Sequence, residues 1–106
     1  MSERAFITYL DETRENRYRH WHSWDRGKII EFRIQYEALI SGHWHSVVRY
    51  DSAHGQPHRD RLHPDGTQTK DWFPSYSNAE VLTIGQRDIR ENWPKYRAQY
   101  EKEMQG

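Results

Sequence analysis

The chain has no cysteine. That excludes disulfide staples and thiolate metal sites, and it suits a reducing compartment. Long apolar runs are missing too. No stretch is apolar enough for a secretory leader or a membrane span, so the expected setting is cytoplasmic, with no membrane partner. Lys and Arg number 16, as do Asp and Glu, so the formal net charge is zero and nothing global draws the chain to nucleic acid. There is no Gly-rich phosphate loop and no Ser-centred nucleophile elbow, and no cofactor is expected.

Hydrophobic residues make up only 34 % of the chain and charged ones 30 %, a balance that leans toward disorder. Five Trp, seven Tyr and three Phe argue the other way, because aromatic side chains bury large areas and disordered chains have few of them. A length of 106 residues fits one folded domain with aromatic-rich packing.

The clearest element is residues 28–40, KIIEFRIQYEALI. Ile30, Phe32, Ile34, Tyr36, Ala38 and Ile40 fall on one side of a period of two, and Glu31, Arg33, Gln35 and Glu37 on the other. That is a strand with a buried and a wet face. Ser41-Gly42 turns the chain into a partner strand, residues 43–50, with Trp44, Val48 and Tyr50 expected on one face and His43, His45, Val47 and Arg49 on the other. A third strand is expected over 58–63, a turn at Pro64-Asp65-Gly66, and a fourth strand over 67–73. Residues 5–10 suit a short strand or a helix turn, and residues 1–27 read as partly irregular.

Residues 77–80, SNAE, have the form of a capping box. Apolar residues at roughly helical spacing follow, from Val81 to Tyr100. Pro94 interrupts them, so the helical segment 77–104 is expected to be kinked or broken near Trp93. The expectation is therefore an α+β fold: an antiparallel meander of about four strands with a C-terminal helix on one face.

Two local features suggest chemistry. Between Arg14 and Lys28 five basic residues face two acidic ones, with Tyr18, Trp21 and Trp24 interleaved. Basic and aromatic residues together suit single-stranded nucleic acid, through backbone charge and base stacking, or an edge that packs its aromatics and solvates its arginines. The second feature is the loop RYDSAHGQPHRD, residues 49–60. Five of the seven histidines lie between positions 43 and 63. His54 and His58 could exchange protons as acid and base, with Asp51 orienting an imidazole. Arg49 and Arg59 could hold phosphate, and Tyr50 lies between them. Imidazoles with Asp51 or Asp60 could instead bind a metal, although no metal is assigned. The plain reading gives each residue a structural role, with Tyr50 in the core, Asp51 capping a turn and Gly55 supplying a positive φ.

From Lys28 to Glu101 the chain resembles a family of small uncharacterised prokaryotic proteins. The shared pattern is an R-Y-D-[ST]-A-H-G-x-P-H-R-D loop, then H-P-D-G, then a terminal helix with N-W-x-x-Y. More distantly, the layout is similar to the TumE-type toxins of toxin–antitoxin pairs, which carry an R-Y-D-N stretch followed by clustered histidines. Here Ser52 stands in the fourth position. Arg49, Tyr50, Asp51, His54, Pro57 and His58 correspond. That resemblance implies a cytoplasmic protein acting on RNA and paired with a separate antitoxin. The functional expectation is an RNA-binding or metal-independent RNA-cleaving protein with His54, His58 and Asp51 catalytic and Arg49, Arg59, Tyr50, Trp21 and Trp24 holding RNA. The alternatives are a non-catalytic protein-interaction module and a His-rich metal-binding protein.

Overall fold

A computed structural model describes every residue of the chain except for the side chain of His54. Among the described residues six strands and one α-helix form the fold: β1 (Ser2–Tyr9), β2 (Asn16–Asp25), β3 (Lys28–Ile40), β4 (His43–Asp51), β5 (His58–Leu62), β6 (Gln68–Trp72) and α1 (Asn78–Gln105). A short 3-10 turn, Ala53–Gly55, joins β4 to β5. The strands form one antiparallel sheet in chain order, with β1 and β6 at its edges. The expected α+β class and meander hold, but the sheet has six strands, not four. The additional pair is β1 and β2, which occupy most of the segment expected to be partly irregular.

Two-residue turns of matched geometry join the central strands. Arg26 and Gly27, and likewise Ser41 and Gly42, all have positive φ. Two successive positive φ values define the type I′ turn, whose twist matches that of the strands it joins.

The helix lies along β3. Near its start, Asn78 Nδ2 donates to the carbonyl of Ile30 at 3.1 Å, and further along Arg97 donates to that of Leu39 at 2.8 Å. Ser77 opens it with the expected capping box, accepting from the Glu80 amide while the Glu80 carboxylate accepts from the Ser77 amide. Val81, Leu82, Ile89 and Tyr100 form its buried stripe. They meet Tyr18, Phe32, Ile34, Tyr36, Val48 and Tyr50 of the sheet in a single core. Gly85 sits where the helix comes closest. A Cβ there would lie 2.7 Å from Ile34 Cδ1 and 2.8 Å from Tyr50 Cγ, so no larger residue fits without displacing the sheet. The helix does not break at Pro94. Pro94 is exposed, so the Arg90 carbonyl that its missing N–H leaves unpaired can turn to water. No helix is long and apolar enough to cross a membrane.

Bulges revise two of the expected faces. Tyr36 pairs with Val48 but Glu37 pairs with Ser46, so Val47 is an extra residue in β4. An extra residue resets the alternation, which puts Trp44 on the same face as Arg49 rather than with Val48 and Tyr50. A second bulge makes Ile30 the extra residue opposite Ser23 and Trp24. Ile30 is exposed and Ile29 packs on the core in its place. The wet face of β3 also differs from expectation: Gln35 and Glu37 are buried.

Candidate functional site

The face of the sheet opposite α1 carries the chemistry. Alternation from the paired positions aligns Arg17, Arg19 and Trp21 of β2 with Glu37, Gln35 and Arg33 of β3. It continues through Arg49 and Asp51 of β4, His58 and Asp60 of β5, and Lys70 and Trp72 of β6. Most of the polar groups buried here find a hydrogen-bond partner; Asp60 Oδ1 does not among the described residues.

One half of this face is basic. Arg17 Nε donates to Glu37 Oε1 at 2.6 Å, and Arg19 Nε to Glu37 Oε2 at 3.1 Å. Gln35 donates to the same carboxylate, and Arg49 Nε donates to Gln35 Oε1 at 2.8 Å. These hydrogen bonds hold the Glu37 carboxyl below its ordinary range, against the opposing effect of burial. Two guanidinium groups thus share one carboxylate, and a third reaches it through Gln35. The Arg17 guanidinium lies 3.7 Å over the Trp44 ring, a close cation–π stack.

The other half is built round His58, which is 1 % exposed. Its Nε2 lies 3.1 Å from Asp51 Oδ1 and 3.3 Å from Asp60 Oδ2. Its Nδ1 lies 3.1 Å from the carbonyl of Gln56. Trp72 covers the ring, with centroids 5.1 Å apart. Asp51 Oδ1 also accepts from the Ala53 amide at 2.9 Å, and Oδ2 lies 3.4 Å from Arg33. Lys70 Nζ lies 3.0 Å from Asp60 Oδ1. Asp51, Ser52, Arg33 and Trp21 help to line an open cavity of about 330 Å³.

The residues singled out in the loop therefore divide between two faces. Asp51, His58 and Arg49 stand on the open face. Tyr50 and Arg59 point the other way, into the seam with α1. The Tyr50 hydroxyl donates to Asp88 Oδ2 at 2.6 Å, and burial with that carboxylate drives its acidity far down. Arg59 is held by Asp71 at 2.9 Å and by the Tyr96 hydroxyl at 3.1 Å. Both residues dock the helix. Asp51 also caps the turn and Gly55 has the positive φ, as the plain reading expects. His54 was expected to pair with His58; its side chain lies outside the described residues. Trp21 is on the open face, whereas Trp24 stacks near His22, their centroids 5.1 Å apart, on the opposite one.

Sequence reasoning counted Arg17 and Arg19 only among the basic residues between Arg14 and Lys28, without assigning them to the site, and it missed Trp44 and Lys70. The signal was present in β2, where NRYRHWHSWD alternates Arg17, Arg19 and Trp21 with Tyr18, His20 and His22. It also missed a chain of rings on the helix side. The Tyr18 hydroxyl is hydrogen-bonded with His20 Nδ1, and His20 Nε2 lies 2.7 Å from His22 Nδ1. Phe6 stacks on His20 with centroids 4.4 Å apart. Burial, followed by the positive charges of the His22, Arg4 and Arg90 side chains, depresses His20 to about 4.

No curated protein and no solved structure matches this chain. A family model covers residues 1–106 in full, and the chain belongs to that family, described as Domain of unknown function (DUF7718).

Proposed function

We propose that this protein binds single-stranded RNA, laying the strand across the open face of its sheet. The observation that carries the reading is the group of three arginines gathered round one carboxylate. Arg17, Arg19 and Arg49 leave a local surplus of two positive charges on a neutral protein. Arg17 and Arg49 are anchored through Nε, so the terminal nitrogens are available to phosphate in a geometry already set. Trp44, Trp21 and Trp72 supply flat surfaces on the same face for base stacking.

Binding is favoured over cleavage by the surroundings of His58. One ring nitrogen is held by a backbone carbonyl and the other by two carboxylates, so neither is free to take a proton from a 2′-hydroxyl.

The test is fluorescence anisotropy with a labelled single-stranded RNA of about a dozen nucleotides. The parent should bind, with affinity falling as salt rises. Arg19→Gln and Arg49→Gln should each weaken binding several-fold and flatten the salt slope by about 0.7 per lost phosphate contact. The recovered RNA should be intact. Absence of saturable binding at low salt, or binding indifferent to both substitutions, overturns the reading and turns attention to a protein partner.

A further inference from the structure

We propose that Asp51, His58 and Asp60 bind one divalent cation of the first transition row. The site would not require RNA, and it stands or falls separately from the RNA reading.

A carbonyl oxygen only accepts, so the contact of His58 Nδ1 with the Gln56 carbonyl places the ring hydrogen on Nδ1. In the neutral ring Nε2 then presents its lone pair to Asp51 Oδ1 and Asp60 Oδ2, both of which are also acceptors. Three electron-rich atoms converge in a buried place with no donor among them. Something positive belongs at that point, either a second ring proton or a metal ion. A histidine that gives its other N–H to a backbone carbonyl is oriented as metal-ligating histidines are.

The three donor atoms lie within 4.8 Å of one another. Metal bonds of about 2.1 Å to nitrogen and oxygen place neighbouring donors roughly 3 to 3.4 Å apart, and the two contacts of Nε2, 3.1 and 3.3 Å, match. Two of the three donor separations are already those of a shared ion. One imidazole and two carboxylates suit manganese, iron or zinc.

The outer carboxylate oxygens face cations. Arg33 lies beside Asp51 Oδ2 and Lys70 beside Asp60 Oδ1. Asp60 Oδ1 is buried and lacks a hydrogen bond of acceptable geometry among the described residues, because the Lys70 ammonium stands off the required direction. Each carboxylate is thereby steadied from outside while its inner oxygen stays directed at His58. Asp51 also borders the open cavity, which gives an ion a way in and leaves room for water in its remaining positions.

The experiment strips the full chain with EDTA and titrates it with Mn²⁺ and, separately, Zn²⁺, with no nucleic acid present. Electron paramagnetic resonance counts free Mn²⁺, calorimetry follows Zn²⁺, and NMR locates the site. One equivalent per chain is expected, with Mn²⁺ broadening centred on the amides of His58, Asp60 and Asp51. Asp60→Asn, nearly isosteric, should weaken binding about tenfold or more while preserving the circular dichroism spectrum. Should that variant fail to fold, the position of the broadening in the parent protein decides. Broadening centred on His43 and His45, the absence of saturable binding, or a His58 ring that keeps both its protons in excess metal would each overturn the proposal. The last result would make the cluster an imidazolium held by two aspartates.

Discussion

His20 is buried against Phe6 with no carboxylate beside it, and its depressed pKa of about 4 sets a dependence on pH. The unfolded chain binds a proton there near 6.5 and the folded chain does not until about 4. Stability is therefore fully present above 6.5 and is lost as pH falls through that window. By about pH 5 the loss from this one group should be about 2 kcal/mol, at about 1.4 kcal/mol per pH unit. Urea unfolding at about pH 7.5 and about pH 5 checks this, with His20→Gln expected to remove most of the difference. Glu37 acts in the same direction but lower. Its carboxyl is depressed in the fold from 4.5, so its contribution is lost only as pH falls below that value. At this scale the loop was legible as a place but not as an arrangement. Adjacent strand residues point to opposite faces, so Arg49, Tyr50 and Asp51 could not all converge. Period two alone would have separated Tyr50 and Arg59 from Asp51 and His58. The bulge at Val47, which moves Trp44 to the open face, has no signature in the side chains around it.

At the scale of elements, the capping box, the strand over residues 28–40 and the turns at Arg26-Gly27 and Ser41-Gly42 could all be read in advance, because each rests on local chemistry. The first two strands were obscured. In β2 the outward residues include two arginines and the inward ones two histidines, so neither side reads as apolar. Burial comes from Phe6 of β1 and from α1, both distant in sequence. The helix was expected to kink or break at Pro94 for a sound local reason; it does not break, and contacts on both sides hold it. Arg97 binds the Leu39 carbonyl and Asn16, and Tyr36 packs near Trp93 with ring centroids 6.2 Å apart, on either side of the proline. The local cost should remain and be recoverable. Pro94→Ala restores an N–H facing the Arg90 carbonyl at an exposed position, and should stabilise the protein by about 1 to 3 kcal/mol. A rise in urea midpoint with an unchanged slope would show it; an unchanged or lower midpoint would mean the proline is matched to a bend that the sheet requires.

The molecule as a whole pairs each strand only with its neighbours in the chain. Sheet formation thus needs no long loop to close before the next strand can add, and the entropic cost of each step is small. Folding should be fast for a protein so rich in strands, with the β2–β3–β4 hairpins formed at the barrier and the helix docking late. Stopped-flow chevrons can examine this. Ile34→Val in β3 should slow folding, whereas Leu82→Ala in α1 should mainly speed unfolding. A helix that arrives last also detaches first. The seam it closes, with Gly85 against Tyr50 and Asp88 beneath two tyrosine hydroxyls, would then be where the native state first opens. In hydrogen exchange the amides of α1 should trade with solvent at a lower free energy than those of β3, leaving the open face, with its arginines and its histidine cluster, assembled while the helix is away.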